Sequence, residues 1–198
     1  MFENDKEYHE EKFVDLDLSN SKFRNVTFEY CLFTCCKFDN TMFTKCKFVD
    51  CTFKSTSMNL TNFDGSTFTE TEFNQCNMKG INWTKMSFPY IVLGSPIHFT
   101  SCEISYSSFY ELNLSSISLI NCKAHEVDFR GTNISNSDLS GTDLLNAQFN
   151  NTNLNHSDIR KSINYNINPT ENNIRKAKFS LPEAIGLLNF CEIEIDSE

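Results

Sequence analysis

At 198 residues the chain suits one elongated domain or two small globular ones. A formal net charge of −9 leaves no surplus of Lys and Arg for a sequence-independent hold on nucleic acid. No apolar run is long enough to cross a bilayer, so neither direct nucleic-acid binding nor a membrane span is expected.

Residues 1–12 read as an N-terminal cap. The opening MFENDKEYHEEKF is charged throughout and lacks the apolar core of a secretory leader. A cytoplasmic location follows as an expectation, with the nine cysteines held as reduced thiols.

From Phe13 a strict period begins. Every fifth residue is large and apolar: Phe13, Leu18, Phe23, Phe28, Phe33, Phe38 and so on to Phe88. The grid slips by one residue, resumes at Phe99, Ile104 and Phe109, and runs to Ile159, with Ala124 its one small centre. Of the 19 Phe, only Phe2, Phe179 and Phe190 lie off it. Two residues before most centres stands a small or β-branched residue, such as Val26, Cys31, Cys36, Thr41 or Ser66.

Five matches neither the 3.6 of a helix nor the 2.0 of a strand. It requires a chain that turns inward once per five residues, so that four sides close a square coil of about 20 residues. Coils stack through backbone hydrogen bonds at about 4.8 Å. One coil cannot bury its own apolar centres; a stack can. The expected fold is all-β: a right-handed quadrilateral β-helix over residues 13–160. Residues 89–96, with Gly94, Ser95 and Pro96 as turn formers, read as a short loop or bulge. A one-residue slip predicts a column of Phe28, Phe48, Phe68 and Phe88 that continues through Phe109, Phe129 and Phe149.

Residues 161–198 form the C-terminal cap. Within it, FSLPEAIGLLNF predicts an α-helix over 181–190, with Ser180 as N-cap, Pro182 in the first turn and Glu183 closing a capping box. Leu181, Ala184, Ile185 and Leu188 make its apolar face, expected to cover the last coil. The tail CEIEID alternates like a strand able to pair with another chain. Leu181, Ile185, Leu188, Ile193 and Ile195 are therefore the candidate cap and dimer residues.

Little in the chain suggests catalysis. Seven of the cysteines (Cys31, Cys36, Cys46, Cys51, Cys76, Cys102, Cys122) fall on the small inward position, where Cys serves as a compact hydrophobe. No C-x-x-C pair supports zinc. His9, His98, His125 and His156 avoid inward positions, and no nucleotide-binding or metalloprotease motif is present. No enzyme activity, metal or cofactor is expected. A left-handed acyltransferase helix needs a six-residue period, which this chain lacks.

Charge marks a surface instead. Glu103, Glu126, Asp128, Asp138, Asp143 and Asp158 crowd a segment whose cations are Lys123 and Arg130. Asp138 and Asp158 should stack one coil apart. These six are the candidate partner-facing residues, set against the bland reading that Asp is the repeat's ordinary solvated residue. Lys22, Lys37, Lys47 and Lys54 would interrupt any acidic stripe further back.

The stretch SNSDLSGTDLLNAQFNNTNLNHSDI resembles the pentapeptide-repeat family over about residues 13–160. The ending INPTENNIRKAKFSLPEAIGLL is similar to the C-terminal caps of its topoisomerase-directed group, the Qnr-like proteins and the microcin B17 immunity protein. The resemblance implies an acidic homodimeric rod, joined through its C-terminal region. Such a rod mimics duplex DNA toward DNA gyrase or topoisomerase IV, both type II topoisomerases, and modulates their poisons. Quinolone-resistance members carry sizeable loops, whereas this chain has one short candidate. The alternative is a structural or protein-interaction solenoid with another partner.

Overall fold

The computed structural model describes residues 2–88, 95–191 and 193. Each pentapeptide makes one side of a square coil. A short extended segment points its central side chain inward, and the chain turns two residues later through left-handed backbone. Asn20 (φ 59°), Asn25 (54°) and Asn40 (57°) do so, as do Gly65 and Gly80. That conformation costs most side chains roughly 1–2 kcal/mol but is easily reached by Asn and Gly.

Parallel ladders join residues 20 apart, as in Phe13↔Phe33↔Phe53↔Phe73 and Phe28↔Phe48↔Phe68. We number the faces by their columns: face 1 carries Phe13, face 2 Leu18, face 3 Phe23 and face 4 Phe28. Face 1 holds the longest sheet, from Lys12–Val14 through Leu32–Thr34, Thr52–Lys54, Thr71–Asn74 and Ile97–Thr100 to Leu119–Ile120. Face 4 begins with Glu7–His9, Thr27–Glu29, Lys47–Val49 and Thr67–Thr69. Later coils keep the register through single parallel bridges, ending at Asn153↔Asn173 and Asp158↔Lys178. The architecture is the expected all-β right-handed quadrilateral β-helix. Its ladder starts before Phe13 and continues past residue 160.

The shaft is filled. Rings stack coil on coil, Phe33 on Phe53 at 4.4 Å and Phe109 on Phe129 at 5.4 Å between centroids. Even Ala124 is fully buried. Most of the Ser, Thr and Cys at the small inward position are buried with a carbonyl partner in the coil before. Thr61 Oγ1 donates to Phe38 O at 2.8 Å, Ser66 Oγ to Phe43 O at 2.7 Å and Thr132 Oγ1 to Phe109 O at 2.8 Å. Ser66 Oγ also accepts from Cys46 N at 2.9 Å. A hydroxyl or thiol there satisfies backbone groups that would otherwise be orphaned in an apolar interior.

The register change differs from the expected one-residue slip. Phe73 pairs with Phe99 and Trp83 stacks on Phe109 at 5.9 Å, each 26 residues apart. The stretch from Phe88 to Phe99 is therefore six residues longer than one side of the coil requires. Steps of one and six shift a five-residue grid identically, so the grid alone cannot separate them. The proposed Phe88–Phe109 column is corrected accordingly: Phe109, Phe129 and Phe149 continue Phe23, Phe43, Phe63 and Trp83 on face 3. Residues 89–94 of the expected loop lie outside the described residues. Ser95 re-enters buried, its hydroxyl donating to Ile97 O at 2.9 Å.

Both ends are closed, each by a different device. At the N-terminus Phe2 is buried beneath the first coil, edge-on to Phe13, Phe23 and Phe28 at 4.9–5.1 Å. At the C-terminus the expected α-helix over 181–190 is instead a 3-10 segment, Glu183–Phe190, preceded by Pro182 with no side-chain cap. The capping box is absent because Ser180 Oγ is engaged by Lys161 N at 3.1 Å. Leu187, with Phe179 and Tyr165, packs on the core, whereas Leu181, Ile185 and Leu188 face outward.

Candidate functional surface

A filled shaft leaves its outer side chains as the candidate working part. On each side the residues flanking the centre both point outward, because alternate residues of an extended segment share a face. Asp128 and Arg130 flank Phe129 in this way. Arg130 Nε and Nη2 reach Asp128 at 2.9 Å. Arg160 grips Asp158 likewise, Nε to Oδ1 at 2.9 Å. Hydrogen bonding from these guanidiniums holds both carboxyls below their ordinary range.

Face 2 brings Glu103, Lys123 and Asp143 into one column, with Lys123 Nζ 3.4 Å from Glu103. His125 Nε2 stands 2.7 Å from Asp143 Oδ2, and Asn164 Nδ2 donates to Asp143 Oδ1 at 2.7 Å. Partial burial of Asp143 opposes ionisation, but the bonds from Asn164 and His125, together with the Leu145 N–H, leave the carboxyl lowered. Asp138 and Asp158 do stack on face 1, and Lys178 follows them in the same column. Glu126 sits at a left-handed corner between faces 2 and 3 (φ 54°).

The structure thus spreads the six candidate carboxylates over three faces. It also gives their side chains a local task. Asp128, Asp138 and Asp158 each accept from the backbone N–H two residues on, at 2.9–3.1 Å, as Asp143 and Glu103 do at 3.3 Å. This turn-forming bond is the physical reason for Asp or Asn before the centre.

At the C-terminal end Leu181 is 77% exposed, and Ile185, Leu188 and Ile193 are also exposed. They are exposed apolar side chains of the C-terminal cap; Ile195 lies outside the described residues. The seven inward cysteines are buried free thiols, while Cys35 and Cys191 are exposed. Among the described residues no cluster of His, Cys, Asp and Glu could hold a metal ion. A shallow groove of about 360 Å³ beside Asp138, Asp158, Arg160 and Lys161 is open to solvent rather than a chamber. No helix of the described residues is long and apolar enough to cross a membrane.

Two surface features escaped the sequence reading: bulky residues at left-handed corners (Tyr30, Leu60, Tyr106), and cations gathered on the corner of faces 3 and 4. Their signal was the residue two after each centre, where Asn is the commonest choice but many other residues, Gly among them, also stand.

A trypsin-treated variant of QnrB1, a plasmid-mediated fluoroquinolone resistance protein, superposes with a TM-score of 0.76 at 21% identity. The match covers 96% of this chain and 99% of that one. A second trypsin-treated variant gives 0.73 at 21% identity over 98% and 99%. Full-length QnrB1 gives 0.50 at 19% identity over 94% and 100%. These likenesses show a shared fold. Comparison with curated protein sequences gives no match. The profile of the pentapeptide repeat region matches residues 26–94 and 95–180, and the chain belongs to the pentapeptide-repeat family.

Proposed function

We propose that the chain is a non-enzymatic binding rod whose partner is a type II topoisomerase, engaged through the acidic C-terminal half in place of duplex DNA. The observation that carries the reading is the filled shaft, which leaves shape and charge as the means of action. The fold likeness to a fluoroquinolone resistance protein directs attention to DNA gyrase and topoisomerase IV. The exposed Leu181, Ile185, Leu188 and Ile193 support a homodimer joined at the C-terminal ends.

The test is a gyrase supercoiling assay, with and without a quinolone. The expected result is dose-dependent loss of supercoiling at micromolar protein. Replacing Asp128, Asp138, Asp143 and Asp158 by Asn, and Glu103 and Glu126 by Gln, keeps amide acceptors for the turns and removes the charge. That variant should fold and lose inhibition. Indifference of gyrase to the parent protein over a wide range overturns the reading.

A second reading is an interaction solenoid with a different partner. It is favoured by the division of the carboxylates among faces and by their pairing with Arg130, Arg160, Lys123 and His125. Gyrase indifference from a protein that is a dimer in solution would select it.

A further inference from the structure

Two departures from the repeat's own preferences border the N-terminal half of face 3. The first lies on the corner between faces 2 and 3. Leu60, Gly80 and Tyr106 follow one another there, since Leu60 N donates to Lys79 O and Gly80 N to Ser105 O. Leu60 (φ 56°) and Tyr106 (φ 63°) hold left-handed backbone that Asn or Gly would adopt at lower cost. Their side chains nevertheless stand 60% and 61% exposed. Gly80 leaves room for Leu60 to lie along the ridge, because a Cβ there would meet Leu60 Cδ2 at 2.7 Å. Backbone preference and burial both argue against bulky apolar residues at these two positions. Unfavourable local choices that persist in a folded chain point to use.

The second departure lies on the opposite corner. Lys45 and Lys85 flank Gly65, and Lys22, Arg24 and Lys47 project beside them, all exposed. Among the described residues none of these five joins an ion pair. Between the two corners face 3 presents Met42, Asn62 and Asn82; two carboxylates lie on the cationic side, Asp64 beside Gly65 and Asp5, whose N–H donates to Arg24 O at 3.1 Å. Five cations outside any ion pair run along one corner over about four coils, with Asp5 and Asp64 as the carboxylates among them, in a chain whose net charge is −9.

We propose that this half of face 3 is a protein-docking surface whose partner offers an acidic segment interleaved with apolar side chains. The segment's carboxylates meet the Lys45–Lys85 corner while its apolar groups cover Leu60 and Tyr106. Duplex nucleic acid would satisfy the cations but leave the apolar ridge in water, so the observations favour the protein segment. The surface shares no residue with the acidic set assigned to the topoisomerase, although Glu126 is the next rung after Tyr106 on the same corner and Asp128 lies further along face 3; it stands whether or not that contact exists.

The experiment uses the full chain and a fluorescein-labelled acidic peptide with Leu and Phe between its Glu residues, followed by anisotropy. A poly-Glu peptide and a DNA duplex serve as the comparison probes. The expected result is micromolar binding of the Leu/Phe peptide and much weaker binding of poly-Glu. Affinity should fall about 10-fold or more in Lys45→Gln/Lys85→Gln, and separately in Leu60→Asn/Tyr106→Asn. The Asn variant should also melt at a higher temperature than the parent, because Asn suits the left-handed corner. Four results would each overturn the proposal: no binding at millimolar peptide, unchanged affinity in the Asn variant, a DNA duplex that displaces the peptide and binds the Asn variant equally well, or a lower melting temperature for that variant.

Discussion

Trp83 occupies a position held by Phe63 in the coil before and Phe109 in the coil after, stacked on both. It is fully buried, and its indole Nε1 has no hydrogen-bond partner. Trp83→Phe removes that orphaned donor and restores the column's own residue, so we expect a cost below about 1.5 kcal/mol. Trp83→Ala opens a cavity in a filled shaft and should cost about 3–5 kcal/mol. Urea titrations of the two variants check the pair. The thiols give a second expectation. Burial pushes Cys51 up to about 12, and it also raises Cys31, Cys36 and Cys46. A folded pKa above the unfolded value stabilises fully below the unfolded pKa of about 8.5 and is lost as pH rises toward the folded one. The melting temperature should therefore fall between about pH 9 and 12. At neutral pH alkylation of the native chain should stop at Cys35 and Cys191, as read by mass spectrometry. The inward thiols were legible from their place in the period. The use of Asp carboxylates by the backbone was less so, because periodicity reports where a side chain points and not what it bonds.

At the level of the element, the regular coils followed from sequence because each side of a coil repeats one instruction: a centre, a small inward donor and a left-handed corner. The junction after Phe88 was harder to place. A five-residue grid registers the remainder of an insertion and not its length, so six residues passed for one. The cap failed for another reason. Ser180 had two competing uses, and pairing with Lys161 N prevailed over capping a helix. The junction offers its own test. Deleting residues 89–94 would bring Phe73 and Phe99 to the ordinary 20-residue spacing, but would place Pro96 at a left-handed corner. Proline cannot adopt that backbone. The deletion combined with Pro96→Gly should melt within a few degrees of the parent, since loop length contributes weakly to stability. The deletion with Pro96 kept should melt clearly lower. Circular dichroism melts of the two separate a six-residue insertion from a bulge.

For the whole molecule, the backbone ladders and the stacked ring columns join each coil to the next, so each coil rests on its neighbours and none stands alone. Such a stack is most vulnerable where the neighbours run out. The first coil leaves an edge of parallel strands, and Phe2 sits under it against the rings of Tyr8, Phe13, Phe23 and Phe28. Phe2→Ala should expose apolar surface beside an unpaired edge and raise thioflavin-positive assembly on mild heating. A variant that stays as quiescent as the parent would mean that the edge is guarded by other means, among them the carboxylates of Glu7 and Glu11. The two described ends thus meet their surroundings differently, the first coil with a phenylalanine tucked beneath its strand edge and the last with a short 3-10 segment that turns apolar side chains outward, so fraying from the two ends should answer to different substitutions.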